Sequence, residues 1–171
     1  LGTTNIIVNA QKPPAEQDSK KQQSGTPSYG LTYKDADQIG KTLPMVERVL
    51  RVHDIEKFIW FKSRRLQAKV RGVTAEYMHA LKLAPFLGRA ITQEDDAVRR
   101  RVCVVRERLI REAKYVGDPL ALDLKIGADY FRVVGVLRDF AVQSQTQTVL
   151  GIDDRAFEVY VPFATVVDRY G

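Results

Sequence analysis

Cysteine and histidine are scarce in this chain of 171 residues, which has one cysteine, Cys103, and two histidines, His53 and His79. A single cysteine excludes an internal disulfide. Its neighbours in Arg101–Val105 predict a buried strand, where a thiol behaves as a small hydrophobic group. Neither histidine has a cysteine or carboxylate at the spacing of a metal site. The sequence therefore predicts no catalytic residue, no metal site and no cofactor.

Long apolar runs are also missing. No stretch approaches the roughly 18–20 residues that span a bilayer, and the first residues lack the basic-then-apolar pattern of a signal peptide. The chain begins with Leu1, and we expect it to be a piece of a longer protein. Its hydrophobic content of 44% and charged content of 28% are ordinary for a globular domain. A chain of this length buries enough surface to fold without a disulfide or a metal.

The net charge of +6 favours an acidic partner, such as nucleic acid, anionic lipid headgroups or an acidic protein. One basic cluster, Lys62–Arg65, follows the aromatic segment Phe58–Phe61. This mixture suits either a grip on single-stranded nucleic acid or a hairpin with an apolar inner face and a charged tip, and we favour the hairpin. The other cluster is the candidate partner contact, and it consists of Arg99, Arg100 and Arg101.

Helix caps give the clearest local signals. Thr32 and Asp35 have the spacing of a capping box, which predicts a helix that ends at Pro44. Thr74 is predicted to cap a second short helix. Later helices are expected at 107–115 and 163–170. Apolar and alternating stretches predict strands at 5–10, 45–52, 66–71, 102–105, 130–137 and 157–161.

The order of these elements predicts an α+β fold of two lobes. Strand–helix–strand occurs twice, as in a split, ferredoxin-like unit. The character of the sequence changes near Arg89 and the strand pattern resumes at Phe157. We therefore assign residues 1–88 and 156–171 to a βαβ lobe and residues 89–155 to an inserted α/β lobe. The polar stretches 11–28 and 141–148 are expected to be mobile loops.

The tripeptide Gly40-Lys41-Thr42 resembles the end of a phosphate-binding loop, so we considered whether the chain binds a nucleotide. That loop needs a glycine five residues before its second glycine, and Asp35 stands there. The triplet also falls at the end of a predicted helix and not at its start, where backbone N–H groups bind phosphate. The sequence thus argues against ATP binding by this chain.

Six short signatures in a fixed order resemble the extracytoplasmic domain of a MacB/LolC/FtsX-type ABC transporter permease. They are Leu1–Val8, Leu31–Ala36, Gly72–Tyr77, Gly88–Thr92, Phe131–Leu137 and Val159–Pro162. The chain departs from the usual pattern at Arg106-Glu107, where the family has Gly-Glu. It departs again at Tyr115–Asp118 and at Ala121-Leu122.

The resemblance implies a porter-like lobe at 1–88 and 156–171 and a Sabre-like lobe at 89–155. It implies a non-catalytic domain outside the inner membrane that couples ATP hydrolysis to export or to a periplasmic adaptor or substrate protein. The cytoplasmic ATPase, fused or separate, acts through membrane helices, and the whole transporter forms a dimer. The helix at 163–170 is expected to lead toward the membrane, with Arg99–Arg101 away from that face.

Two further interpretations stay open at this point. The alternative function is a basic nucleic-acid-binding module, whereas the transporter interpretation implies no nucleic-acid partner. An isolated small enzyme ranks third, because the chain offers few candidates for an activated nucleophile.

Overall fold

The computed structural model describes residues 6–9, 31–139 and 157–171. The chain divides into two compact units, Leu1–Val49 and Leu50–Gly171. The predicted loops 11–28 and 141–148 lie outside the described residues, as do residues 1–5. Residues 6–9 are described and form no strand, so the strand predicted at 5–10 is wrong for them. The strand predicted at 45–52 is also wrong, because only Val52 of it enters a strand.

The first unit contains helix α1, Tyr33–Thr42. The Thr32 hydroxyl accepts a hydrogen bond from the Asp35 N–H at 3.3 Å, and the Asp35 carboxylate accepts one from the Thr32 N–H at 2.7 Å. These bonds satisfy N–H groups that a helix start leaves without intrahelical partners. The predicted capping box is confirmed.

The second unit contains the strands. Its elements in chain order are β1 Val52–Phe61, β2 Arg64–Val73, α2 Ala75–Ala80, β3 Leu87–Gly88, α3 Gln93–Ala97, β4 Val102–Arg106, α4 Glu107–Glu112, a 3-10 turn Pro119–Ala121, β5 Asp123–Ile126, β6 Asp129–Leu137, β7 Phe157–Pro162 and α5 Phe163–Tyr170. The α+β fold class is thereby confirmed.

The described strands form one sheet in the order β3-β6-β4-β7-β2-β1-β5, and β5 pairs with β6 as well. The sheet therefore closes on itself as a ring of six strands. The pairs β2–β7 and β4–β6 are parallel, and the others in the ring are antiparallel. Closure gives each ring strand a neighbour on both sides, which removes the exposed edges that promote aggregation.

The described strands do not separate into the two predicted lobes, residues 1–88 with 156–171 and residues 89–155. β4 and β6, from residues 89–155, lie in the same sheet as β2. The reason is β7, which pairs with β2 on one edge and with β4 on the other. A change of sequence character at Arg89 does not reveal that a later strand joins both parts. The assignment of residues 89–155 to an inserted lobe stays a prediction, but the described part of that range has no sheet of its own.

Two apolar clusters stabilise the sheet, one on each of its faces. The inner cluster fills the ring and is covered by α4 and α5 through Leu109 and Val166, both fully buried. The outer cluster packs Tyr77 and Met78 of α2 against Val104 and Tyr160. Because side chains alternate along a strand, β4 and β7 contribute to both clusters.

The β1–β2 hairpin explains the aromatic segment near the basic cluster. Lys62 adopts a left-handed conformation in the two-residue turn, and Phe61 pairs with Arg64 across it. Ile59 and Phe61 are buried inside the ring, whereas Phe58 and Trp60 are exposed outside. The predicted hairpin with an apolar inner face is confirmed.

The one thiol should be chemically inert in the folded protein. Cys103 is fully buried in β4, and this burial, with a smaller contribution from the charge of Asp123, raises the pKa of its thiol. Because the thiolate is the reactive form, we expect Ellman's reagent at pH 8 to modify the native protein at least about a hundredfold more slowly than the protein unfolded in guanidinium. Equal rates in both states would show that β4 is open to solvent.

Candidate site at the C-terminal helix

The three arginines of the candidate partner contact lie in the loop between α3 and β4. Arg99 has a left-handed backbone, with φ of 49°. The Arg100 N–H donates to the Asp95 carbonyl at 2.8 Å, and the Arg132 N–H donates to the Arg101 carbonyl at 3.0 Å. The loop is therefore tied to α3 on one side and to β6 on the other.

Each arginine has a carboxylate of the same chain nearby. The pairs are Arg99 with Asp168 at 3.7 Å, Arg100 with Glu94 at 3.0 Å and with Asp95 at 3.2 Å, and Arg101 with Asp129 at 3.9 Å. The cluster lies beside the last helix, since Asp168 belongs to α5. Its predicted position away from the membrane face stays a prediction. A contact between these arginines and a partner protein stays a prediction.

Asp95 is the fully buried carboxylate of this region. It accepts hydrogen bonds from the N–H and hydroxyl of Thr92 at 3.0 and 2.9 Å, which completes a capping box for α3. Arg89 binds both of its oxygens, and Arg100 adds a third guanidinium contact. Burial alone would raise the pKa of Asp95, but the hydrogen bonds from Arg89 and Thr92 outweigh it and hold that pKa at about 2.

Asp96 connects α3 to the start of α5. Its Oδ1 accepts a hydrogen bond from the Ala164 N–H at 2.7 Å, in the first turn of α5. One residue later, the Thr165 hydroxyl donates to the Arg100 carbonyl at 3.3 Å. Both contacts satisfy polar groups that would otherwise be buried without partners. The start of α5 is therefore held by α3 and by the loop at Arg99–Arg101, which we call the arginine loop.

The end of α5 is attached separately to the β5–β6 turn. Arg169 forms an ion pair with Asp129 at 3.2 Å, and the Tyr170 hydroxyl donates to the Ile126 carbonyl at 2.8 Å. Burial, together with the charge of Asp129, raises the pKa of Tyr170 to about 12, so the phenol stays protonated and can donate at neutral pH. The helix is thus bonded at its start to α3 and the loop that follows it, and at its end to β5 and β6.

The middle of α5 approaches β2 closely at Gly72. A Cβ built on Gly72 would lie 2.9 Å from the Cβ of Val166, closer than side chains pack. Val166 is fully buried in the inner cluster and is stiff at χ1 in a helix. Glycine at this position is what allows α5 to lie against the sheet.

A second polar cluster crosses β2, β7 and β4 on the outer face of the sheet. Arg106 donates to Glu158 at 3.0 Å and to the Tyr160 hydroxyl at 2.9 Å, and that hydroxyl donates to Glu158 at 2.8 Å. Arg71 approaches the other oxygen of Glu158 at 3.5 Å. In the sequence, Arg106 stands out only as a departure from a family pattern, because Glu158 and Tyr160 lie more than fifty residues away.

The contacts described for this region are hydrogen bonds and ion pairs between groups of the same chain. In 6–9, 31–139 and 157–171, no three His, Cys, Asp or Glu side chains lie where they could hold a metal ion together. Over the same ranges, each buried side-chain nitrogen or oxygen has a hydrogen-bond partner. A search of these residues also found no helix long and apolar enough to cross a bilayer.

Comparison with known proteins decides the family. Residues 2–171 match the family described as the MacB-like periplasmic core domain. The chain belongs to this family. Membership confirms the resemblance to a MacB-type ABC transporter permease and its extracytoplasmic domain. It favours the transporter interpretation over a nucleic-acid-binding module or a small enzyme.

Solved structures share the fold of this MacB-like domain. The extracellular domain of the noncanonic ABC-type transporter YknZ from Gram-positive bacteria matches with a TM-score of 0.67 and 20% identity, over 82% of this chain and 67% of that one. The periplasmic region of MacB from Actinobacillus actinomycetemcomitans matches with a TM-score of 0.63 and 20% identity, over 80% of this chain and 57% of that one. No curated protein matches the chain.

Removing the Asp95 charge should destabilise the MacB-like domain in a pH-dependent way. At pH 7 we expect Asp95→Asn to lower the free energy of unfolding by about 2–4 kcal/mol, because Arg89 and Arg100 lose their buried partner. The folded pKa of about 2 lies below the ordinary 3.8. The contribution of this charge is therefore complete above about pH 4 and is lost as pH falls toward 2.

The measurement is urea unfolding, followed by the fluorescence of Trp60, at pH 7 and at several values down to 2. Asp168→Asn is the control, because it removes a half-exposed acid and should cost less than about 1 kcal/mol. A difference between wild type and Asp95→Asn that stays constant down to pH 2 would contradict the assigned role of the carboxylate.

A methyl group at Gly72 should loosen α5. We expect Gly72→Ala to lower the free energy of unfolding by about 1–3 kcal/mol, because Val166 must move out of its packed position. Gly40→Ala is the matched control: its new Cβ would lie 3.5 Å from the Val49 side chain, an ordinary contact, in the last turn of α1. That change should be neutral or stabilising. Equal effects of the two substitutions on the melting temperature would refute the close-packing argument.

Proposed function

We propose that this domain is a non-catalytic mechanical coupler, which converts ATP-driven movement of a permease into movement outside the cell membrane. Family membership supplies the permease context. The supporting observation in the structure is the attachment of α5, which is bonded at its start to Asp96 of α3 and at its end, through Arg169 and Tyr170, to the strands β6 and β5. A displacement of this helix would carry the sheet with it.

The closed sheet makes such transmission efficient. Each ring strand is hydrogen-bonded on both sides, and α5 packs into the inner cluster through Val166. Closely packed interiors deform little under load. Movement delivered at α5 would therefore reach the far strands as movement of the unit Leu50–Gly171, and not as local distortion.

The proposal names partners that the chain itself does not contain. The energy source is a cytoplasmic ATPase domain or subunit that acts through membrane helices, and the working transporter is a dimer. Export substrates or a periplasmic adaptor would then meet the moving domain, with Arg99–Arg101 as one candidate contact. The chain spans 57% of the length of the MacB periplasmic region that it matches.

The test uses the full-length parent permease with its ATPase in membranes. Val116 is almost fully exposed, and the one native thiol of this domain is buried, so Val116→Cys can carry a nitroxide spin label once exposed cysteines elsewhere are replaced. We expect the distance between labels in the dimer to change when ATP and vanadate trap the closed ATPase. Pulsed electron paramagnetic resonance measures that distance.

Removing the contacts at the end of α5 should reduce the change in the distance between labels. Arg169→Ala combined with Tyr170→Phe removes the bonds to Asp129 and Ile126, so we expect a smaller distance change with ATPase activity retained. Arg111→Ala, which breaks an exposed ion pair with Asp139, is the control and should leave the change intact. An unchanged distance in the otherwise unmodified labelled transporter would refute mechanical coupling.

A further inference from the structure

A row of aromatic and basic side chains crosses four strands on the outside of the ring. Cross-strand pairing places Trp60 of β1 beside Arg65 of β2 and Lys125 of β5, and Lys125 beside Tyr130 of β6. Phe58 lies two residues before Trp60 and so shares its face. We call these five residues, Phe58, Trp60, Arg65, Lys125 and Tyr130, the aromatic–basic surface.

The two cations of this surface contact rings and not carboxylates. The Arg65 guanidinium lies 3.6 Å from the centre of the Phe58 ring and 6.0 Å from that of Trp60, and the Lys125 ammonium lies 5.8 Å from that of Tyr130. Among the residues that the structure describes, neither has an acidic partner. Aromatic faces attract cations without neutralising their charge. Both cations therefore retain their positive charge at the surface.

Two other arginines on the strands of this surface, Arg132 and Arg71, differ from Arg65 because each is paired with a carboxylate. Arg132, two residues after Tyr130, binds both oxygens of Asp123 at 2.6 and 3.2 Å. Arg71, farther along β2, does the same with Asp54 at 2.8 and 3.1 Å. The charges of Arg132 and Arg71 are thus compensated by carboxylates, whereas within the described part of the chain those of Arg65 and Lys125 are not, which fits a partner that supplies the anion.

The rings themselves are unusually exposed. The exposed fractions are 46% for Phe58, 39% for Trp60 and 59% for Tyr130. Grouped exposed aromatic side chains mark contact with another phase or molecule. Tryptophan and tyrosine together with lysine and arginine are typical of the boundary between lipid headgroups and acyl chains.

The surface lies at the same end of the unit as the end of α5. The Tyr170 hydroxyl binds the Ile126 carbonyl, next to Lys125, and the Gly127 N–H donates to the Phe58 carbonyl at 3.5 Å. The Lys57 ammonium lies over the Tyr170 ring. The last turn of the helix therefore lies beside the same segments of β1 and β5 as the aromatic–basic surface, with Lys57 and Tyr170 on the inner face and the surface on the outer face.

We propose that the aromatic–basic surface rests on the membrane and binds the headgroups of anionic phospholipids. The inference rests on the extracytoplasmic placement beside a bilayer that family membership supplies, and it does not depend on mechanical coupling. Single-stranded nucleic acid fits less well, because bases need free ring faces, and Arg65 and Lys125 already occupy a face of Phe58 and of Tyr130.

The test uses Trp60, the one tryptophan of the chain, as a reporter within the surface. The isolated 171-residue chain is titrated with vesicles of phosphatidylcholine alone, and with vesicles that contain about one third phosphatidylglycerol. We expect sedimentation with the anionic vesicles and a blue shift of the Trp60 emission. Binding should weaken when salt rises from about 0.05 to 0.5 M, as screening requires.

Two double variants of equal charge change separate this surface from general basicity. Arg65→Gln/Lys125→Gln should weaken the partition onto anionic vesicles roughly tenfold or more. Lys82→Gln/Arg138→Gln is the matched control, because Arg138 also stacks on an exposed ring, that of Phe86, elsewhere in the unit. The control should bind like the wild-type chain, and both variants should keep its melting temperature.

The proposal is overturned by any of three results. The wild-type chain fails to bind anionic vesicles, or the two double variants lose binding equally, or a single-stranded oligonucleotide shifts Trp60 emission where anionic vesicles do not. ATP and the ATPase take no part in these measurements. A negative result here therefore leaves the coupling proposal standing, and a failed distance change in the full transporter leaves this one standing.

Discussion

The double pairing of β7 is the constraint on which the rest of the structure depends. β7 joins β2 in parallel and β4 in antiparallel orientation, so it closes the gap between the hairpin and the later strands. On its outer face, Glu158 adds charge-assisted bonds to Arg106 and Arg71 on the two flanking strands. Without this strand the ring would open, and both apolar clusters would lose a wall. The helix α5 follows β7 directly, so its position is set by the same pairing.

Two adjacent carboxylates of the short helix α3 stabilise the position of α5, one through the loop at Arg99–Arg101 and one by direct contact. Asp95 turns inward, is fully buried and fixes the arginine loop through Arg89 and Arg100. Asp96 turns toward α5 and accepts the Ala164 N–H. A helix of five residues has little stability of its own. The capping box of Thr92 and Asp95 stabilises it by satisfying N–H groups at its start. In the sequence this region is a basic cluster, whereas in the structure it connects α3, α5 and β6 by hydrogen bonds.

Two groups of basic residues differ in their partners, since one group pairs with carboxylates and the other contacts aromatic rings. The arginines of the cluster at 99–101 are paired with carboxylates, so the cluster contributes less free charge than its sequence suggests. The cations at the hairpin end lie on aromatic rings and stay uncompensated. Net charge states that a protein is basic, but only pairing shows where that charge is available to a partner.

The sequence by itself determined the local features and the family. The capping box at Thr32, the hairpin, the last helix and the strands predicted at 102–105, 130–137 and 157–161 follow from signals within a few residues, because caps and alternation are local properties of the chain. Ordered signatures were enough to indicate a MacB-type permease domain. Only the tertiary structure decided that one closed sheet unites the chain from Val52 to Pro162, that Arg106 meets Glu158, and that Trp60 lies beside Lys125. These depend on contacts between residues far apart in sequence, which local patterns do not encode.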